Sequence, residues 1–356
     1  MADRYWVGGT DSWDAVVGTK WATTSGGAGG QTVPTALDNA IFDANSGAVT
    51  VTVSGNRTCA DLRFTDFTGT FTVGAQVSVS GNITLSPSMT LTATGSFPVA
   101  PQTNCVINMA GVQTFEPVLN IQAKSGGVVT LANTHPNGVT LPRGLTCTNG
   151  NVTFVNTTFD VYTRFSLLNG NSVWNFSNST INLHGSPMRF ELPEAPIFGS
   201  LVASANFAGT TVNVDADTSI VLYITGIEAP TMVFGSNCFI TFDSTLSPPN
   251  FLRFSSAQFG PRCTMNIPWG APTLYVNGTI TTTASNINDM VTFIPQDGDR
   301  AIFTSLSGAE NNMDYVFIAG GSFSNAVWNA RNSVAVQCTG LNLVSIPSAI
   351  SLPGVF

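Results

Sequence analysis

Charged residues are scarce in this sequence. Only 9% of its 356 residues are Asp, Glu, Lys or Arg, compared with about 25% in an ordinary soluble domain. Lysine occurs twice, at Lys20 and Lys124, and residues 67–115 and 332–356 contain no charged side chain. Because surface helices depend on Glu, Lys and Arg, this scarcity argues against a mainly helical protein.

Positive charge is especially scarce, and the formal net charge is −8. Proteins that bind nucleic acids use Lys and Arg to neutralise phosphates, so we expect no nucleic-acid partner. The first residues, Met-Ala-Asp-Arg-Tyr-Trp, lack the apolar region of a secretion signal, and no segment is long and apolar enough for a transmembrane helix. We therefore expect a chain that folds in the cytoplasm where it is made, without membrane insertion.

Motifs for catalysis and metal binding are also missing. The two histidines, His135 and His184, have no ligand or triad partner nearby in the sequence. There is no P-loop, zinc-protease motif, serine-hydrolase elbow or Cys-x-x-Cys. Six cysteines are scattered singly and are predicted to be buried free thiols: Cys59, Cys105, Cys147, Cys238, Cys263 and Cys338. The sequence predicts no cofactor, no metal site and no catalytic residue.

The chain is instead rich in Thr, Ser, Asn and Gly, which fill the positions between apolar residues. From residue 48 onward, short runs place apolar residues at i and i+2, as in Val51 and Val53 or Phe71 and Val73. This is the period of a strand with one buried face. If three such strands make one coil, a coil takes roughly 20 to 25 residues, which is a solenoid period.

This repeat predicts an all-β protein, a right-handed parallel β-helix in which each coil buries its inner face against its neighbours. Residues 169–183 place Asn and Ser at the corners, where stacked amides are expected to pair along the axis. Tandem β-sandwiches are the alternative, since they also consist of short strands separated by turns.

The chain is divided by composition into three predicted parts: residues 1–47, 48–285 and 286–356. The first is a Trp- and Gly-rich cap or docking segment, the second is the β-helix body, and the third is a C-terminal β cap or interface module. Candidate docking residues are Tyr5, Trp6, Trp13 and Trp21, because exposed aromatic side chains anchor interfaces well. The equal alternative is that this segment is a self-contained cap on the solenoid.

Two groups of residues are candidates for the cleavage or binding of sugars. Asp215 and Asp217 follow an alternating strand, so both carboxylates could point to one face at the separation that a retaining glycosidase needs. The alternative is a solvated end of a strand. Trp174, Trp269 and Trp328 are either sugar-binding platforms or packing residues of the core and caps.

The beginning of the chain resembles a known kind of module. The residues that carry the resemblance are Tyr5-Trp6-Val7-Gly8-Gly9-Thr10-Asp11-Ser12-Trp13, then Trp21, Pro34 and Asp38-Asn39-Ala40-Ile41-Phe42-Asp43. This segment is similar to the leading module of repetitive β-helical proteins found among bacteriophage virion proteins and bacterial autotransporter-like passengers. The resemblance extends through Leu62–Thr65, and the rest of the chain shares only the general pattern of such proteins.

Autotransporters need a secretion signal and a C-terminal membrane domain, and we expect neither here, so the phage branch of the resemblance is preferred. It implies a non-enzymatic structural protein on the virion exterior, either a capsid decoration or fibre protein or a tail fibre. The chain would be made in the host cytoplasm and released by lysis.

The resemblance also implies a homo-oligomer, a trimer, which contacts other capsid or tail proteins and a host-surface glycan. Two alternatives stay open. One is a tailspike glycan depolymerase that uses Asp215 and Asp217. The other is a cell-surface adhesin.

Overall fold

The computed structural model shows a chain built almost entirely of β-strands. It describes all residues except 14–17, 19, 95–97, 124–126, 168–172, 186–187, 192–203, 208, 216–218, 224–230, 243–250, 255, 268–272, 277–279, 286, 296–301, 306–309, 313–314, 319–320, 325–326, 336–337, 340–341 and 346–356. Within the described ranges, the helical elements are two short 3-10 turns, Ala44–Ser46 and Ile287–Asp289. Contacts divide the chain into a first unit, residues 1–179 with 201–206, and a second unit, residues 180–200 with 207–356.

Three sets of strands form the walls of the first unit. Sheet 1 contains Ala2–Trp6, Trp21–Ala22, Asp38–Asp43, Leu62–Thr65, Ile83–Thr84, Cys105–Asn108, Val128–Ala132, Asn151–Thr153, Val173–Asn175 and Ser204–Asn206. Sheet 2 contains Asp11–Trp13, Thr50–Val53, Thr70–Val73 and Thr90–Ala93, and Val139–Leu141 pairs with Thr158–Val161. Sheet 3 contains Arg57–Cys59, Val77–Val79, Pro98–Pro101, Val118–Gln122, Leu145–Asn149 and Arg164–Leu167.

The strands of the second unit are described in three sets. Sheet 4 contains Thr180–Leu183, Thr211–Val214, Thr231–Phe234, Ala257–Phe259, Ile280–Thr282, Glu310–Asn312, Val327–Arg331 and Asn342–Ser345. Sheet 5 contains Met188–Glu191, Ser219–Tyr223, Phe239–Phe242, Thr264–Ile267, Val291–Pro295, Val316–Ile318 and Val334–Ala335. Sheet 6 contains Phe251–Phe254, Thr273–Val276, Ile302–Ser305, Gly321–Ser324 and Cys338–Thr339.

The strands pair in parallel with the strands of the next turn. Val53 pairs with Val73 in sheet 2, and Val73 pairs with Ala93 one turn further on. In the first unit, contacts between successive turns commonly join residues that are 20 to 24 apart in the sequence, such as Thr72 with Thr92 and Asn82 with Val106, as the predicted coil length requires. The predicted parallel β-helix is therefore confirmed. The alternative of tandem sandwiches is wrong, because such sandwiches are antiparallel and among the described strands only Trp21–Ala22 pairs antiparallel, with Ala2–Trp6.

Side chains along each strand alternate between the interior and the surface of the turns. In Thr70–Val73 the side chains of Phe71 and Val73 are buried, whereas Thr70 and Thr72 lie on the outside. Strands such as Val77–Val79 repeat this pattern. Apolar side chains from each wall thus meet in one continuous core within a unit, and hydroxyl groups remain on its surface.

Asparagine side chains connect successive turns. In the second unit the Asn213 amide donates to the Asn182 side-chain oxygen at 2.8 Å, and the two residues are aligned in adjacent strands. The two asparagines lie within the strands Thr180–Leu183 and Thr211–Val214, so this pair stacks along the axis as predicted but not at a corner. In the first unit, the side-chain oxygen of Asn82 accepts the Val106 N–H of the next turn at 2.9 Å. Such bonds satisfy backbone groups that the strand ladders leave unpaired where the chain bends.

Asparagine also suits the conformation of the corners. Asn133, Asn156 and Asn178 each follow a strand of sheet 1 and have φ between 49° and 55°. Among residues other than glycine, Asn enters this left-handed region most readily. The Asn-rich composition is therefore partly a requirement of the tight corners.

The contact units do not coincide with the three predicted parts. Asp38–Asp43 and Leu62–Thr65 lie on either side of the predicted boundary at residue 47 and pair directly. Likewise Thr264–Ile267 and Val291–Pro295 pair across the predicted boundary at residue 285. The ladders thus continue through both positions. Among the described helical turns, none has the length and apolar character needed to span a membrane.

Candidate functional site

Three tryptophans pack at the end of the first unit where the chain begins. Trp6 and Trp13 are fully buried and Trp21 is 2% exposed. The ring centroid of Trp21 lies 5.2 Å from that of Trp6 and 5.3 Å from that of Trp13, both in edge-to-face arrangements. Each such pair contributes about 0.5–1.5 kcal/mol beyond the burial of its area. The indoles therefore fill the open end of the apolar core.

Of the four candidate docking residues, the structure brings Trp6, Trp13 and Trp21 together and leaves Tyr5 beside them, half-buried. Tyr5 lies in the strand that pairs antiparallel with Trp21–Ala22. A two-residue antiparallel strand ends the parallel ladder with few unpaired backbone groups, which protects the edge of the sheet. The buried indoles are not available to a partner, so a docking role for residues 1–47 stays a prediction and would use other side chains of the segment.

The proposed carboxylate pair is described only in part. Asp215 follows Thr211–Val214 with its side chain 56% exposed, and Asp217 lies outside the described residues. The Asp215 carboxylate contacts Nδ1 of His184, because Leu183 and Val214 are aligned in adjacent turns of sheet 4. The imidazole of His184 is half-buried, at 19% exposed, so the exposed face of the pair is the carboxylate. Their separation of 31 residues hid this pair from sequence reasoning.

The other candidates for sugar binding are the three tryptophans. Trp174 is fully buried in the first unit, so its ring is a packing residue. Trp269 and the side chain of Trp328 lie outside the described part of the chain. Over the described ranges, no group of three or more His, Cys, Asp and Glu side chains is arranged to hold a metal ion.

The most regular surface of the first unit is formed by threonines. We name this surface the threonine face, and its members point outward from three successive strands of sheet 2: Thr50, Thr52, Thr70, Thr72, Thr90 and Thr92. Each threonine is aligned with its equivalents one turn away. The two columns are about 7 Å apart and successive rows about 4.8 Å apart, from the geometry of strands.

The hydroxyl groups of this face both donate and accept hydrogen bonds. Thr72 and Thr92 share one at 2.9 Å, whereas Thr50 and Thr90 are exposed. A flat array of neutral hydroxyls suits contact with another uncharged polar surface, because no ion has to be desolvated. The signal in the sequence was Thr-x-Thr repeated at intervals of 20 residues, which the alternation of apolar residues overshadowed.

Comparison of the chain with protein-family models, with curated proteins and with solved structures finds no match.

Proposed function

We propose that this chain is a non-enzymatic structural protein on the exterior of a bacteriophage virion, as a capsid decoration or fibre protein or a tail fibre. The observation that carries the proposal is the threonine face on a parallel β-helix with an uncharged polar exterior. Such a surface has no attraction for nucleic-acid phosphates, and its interactions depend on shape and hydrogen bonding. The resemblance of residues 5–65 to virion modules supports the same role.

Assembly of several copies follows from the distribution of charge. A net charge of −8 makes copies of the chain repel one another. Residues 67–115 contain no charged side chain, and they include Thr70, Thr72, Thr90 and Thr92 of the threonine face. Copies can approach there without like-charge repulsion. A homotrimer that meets through this face is the assembly we propose, with capsid or tail proteins and a host-surface glycan as further partners.

The location is tested on particles of the phage that encodes the chain. Gradient-purified virions are expected to contain the protein in many copies, and gold-labelled antibodies are expected to decorate intact particles. Mass spectrometry of the same fraction provides the copy number. Virions that lack the protein, or that bind the antibody only after disruption, would contradict the proposal. A protein found on bacterial cells without phage would indicate the adhesin instead.

The face is tested by adding charge to it. The double variant Thr50→Lys and Thr70→Lys is expected to weaken trimer formation at least tenfold, because it forces lysines of neighbouring copies together or buries them unpaired. Native mass spectrometry over a dilution series measures this change. The matched control is Thr65→Lys, which adds a lysine at an exposed position of sheet 1. Equal trimer populations in both variants would rule out the face as the contact.

The depolymerase alternative is favoured by one observation, the exposed Asp215 carboxylate beside His184. Under the structural proposal, purified protein releases no fragments from host capsular polysaccharide or lipopolysaccharide. Size-exclusion chromatography of the treated glycan checks this outcome. Fragments that disappear with Asp215→Asn, while Asp160→Asn still produces them, would replace the proposal with the enzyme.

A further inference from the structure

Two cysteines of the second unit are stacked at one corner. Cys238 immediately precedes Phe239–Phe242, and Cys263 immediately precedes Thr264–Ile267. These strands are neighbours with Phe239 aligned to Thr264, and the Thr264 N–H donates to the Cys238 carbonyl at 2.8 Å. The two cysteines therefore occupy equivalent positions in successive turns.

Their spacing suits a covalent bond. Neighbouring strands lie about 4.8 Å apart, and disulfides join Cα atoms separated by about 4.4–6.8 Å. The Cys263 thiol donates to the Gly235 carbonyl at 2.8 Å, and the Cys238 thiol donates to the Asp215 carbonyl at 3.0 Å. Each thiol thus reaches back toward the preceding turn, and for Cys263 that is the turn that contains Cys238.

The two thiols also interact with one another. The neighbouring Cys238 side chain lowers the pKa of Cys263, against an opposing effect of burial. Elsewhere burial dominates, and it raises the pKa of Cys105 to about 12. Because the thiolate is the reactive form, this lowered pKa favours Cys263 as the attacking sulfur.

We propose that Cys238 and Cys263 are an oxidation site, at which hydrogen peroxide converts two stacked thiols into a disulfide between successive turns. The Cys263 thiolate attacks one peroxide oxygen, the O–O bond breaks, and the departing hydroxide takes up the thiol proton as water. The Cys238 sulfur then attacks the resulting sulfenic acid and displaces its hydroxide, which leaves with the Cys238 proton as a second water. Two thiols and one peroxide thus become one disulfide and two waters.

The bond ties together two turns that are otherwise joined by backbone hydrogen bonds and packing. It closes a loop of 25 residues, from 238 to 263. Because the closed loop constrains the unfolded chain, we expect oxidation to raise Tm by about 5 °C. Under the proposed function, the two thiols stay reduced in the cytoplasm and form the disulfide after release. That timing rests on the proposed function, whereas the bond itself does not.

The test uses the full chain. Trypsin cleaves after Arg253 and Arg262, so Cys238 and Cys263 fall on different peptides unless a disulfide joins them. The protein is treated with peroxide, its remaining thiols are blocked in denaturant, and the monomer band is digested. Mass spectrometry is then expected to find the two peptides joined, with a mass two hydrogens below their sum. Reduction is expected to separate them. Cys338, the least buried cysteine, reports that the peroxide has acted.

Matched variants then assign the effect on stability. Cys263→Ser keeps a donor for the Gly235 carbonyl and is expected to abolish the rise in Tm upon oxidation. Cys147→Ser removes another buried thiol, which contacts the Gly150 carbonyl, and is expected to retain the rise. The proposal is overturned if Cys338 becomes oxidised in the wild-type chain while the peptides with Cys238 and Cys263 stay separate. This outcome needs no variant to fold, and it leaves the virion role unaffected.

Discussion

Phe42→Ala is expected to lower the free energy of unfolding of the first unit by about 4 kcal/mol. The Phe42 ring is fully buried at the centre of the aromatic cluster. Its centroid lies between 5.1 and 6.0 Å from six other rings, which belong to Trp6, Trp13, Trp21, Phe64, Phe67 and Phe71. Removal of the ring leaves a cavity that rigid neighbours cannot fill.

Guanidinium unfolding followed by tryptophan fluorescence measures this loss, since three indoles surround the site. The control is Phe115→Ala, because Phe115 is equally buried but has no aromatic neighbour among the described residues. We expect the control to lose at least about 1 kcal/mol less, since it forfeits no ring pairs. Equal losses would show that the cluster contributes only buried area.

Gly69→Ala is expected to destabilise the first unit by about 3 kcal/mol. A Cβ atom at Gly69 would lie 2.2 Å from the Val49 carbonyl oxygen and 2.5 Å from the Phe67 ring. The Val49 oxygen accepts the Thr70 N–H at 2.8 Å, so it belongs to the ladder between two turns. The substitution therefore forces these turns apart at a point where the backbones are in contact.

Gly18→Ala is the matched control for this change. No atom of the described residues lies within 4 Å of a Cβ at Gly18, and its φ is not in the left-handed region. We expect its stability to stay within about 0.5 kcal/mol of the wild type. Thermal unfolding of both variants decides the matter, and a tolerated Gly69→Ala would mean that successive turns can separate without loss of the ladder.

Local patterns in the sequence were enough to predict the fold. The alternation at Val51 and Val53 and at Phe71 and Val73 indicates strands with one buried face, and the return of such runs every 20 to 25 residues indicates stacked turns. The expected stacking of asparagine amides along the axis does occur, at Asn182 and Asn213, but within two strands and not at a corner. These features are local because alternation and corner geometry are properties of a few consecutive residues.

The candidate sites were harder to predict. The number of tryptophans near residue 1 indicated a special segment, but not that the indoles pack inside the core. The contact of Asp215 with His184 and the stacking of Cys238 on Cys263 have no local signal, because each pair is separated by a whole turn. Among the described strands, aligned positions in adjacent parallel strands are between 13 and 40 residues apart, as for Asn329 with Asn342 and Ser12 with Thr52, so a constant period does not identify the partners.

The sequence by itself determined short strands with one buried apolar face and an exterior of mainly hydroxyl and amide groups, because alternation and a low content of charge are properties of consecutive residues. Only the tertiary structure decided that the strands pair in parallel and which side chains become neighbours along the axis. The register between turns depends on how each intervening corner places the next strand, and a slip of one residue in the pairing of a strand would turn its side chains to the opposite face.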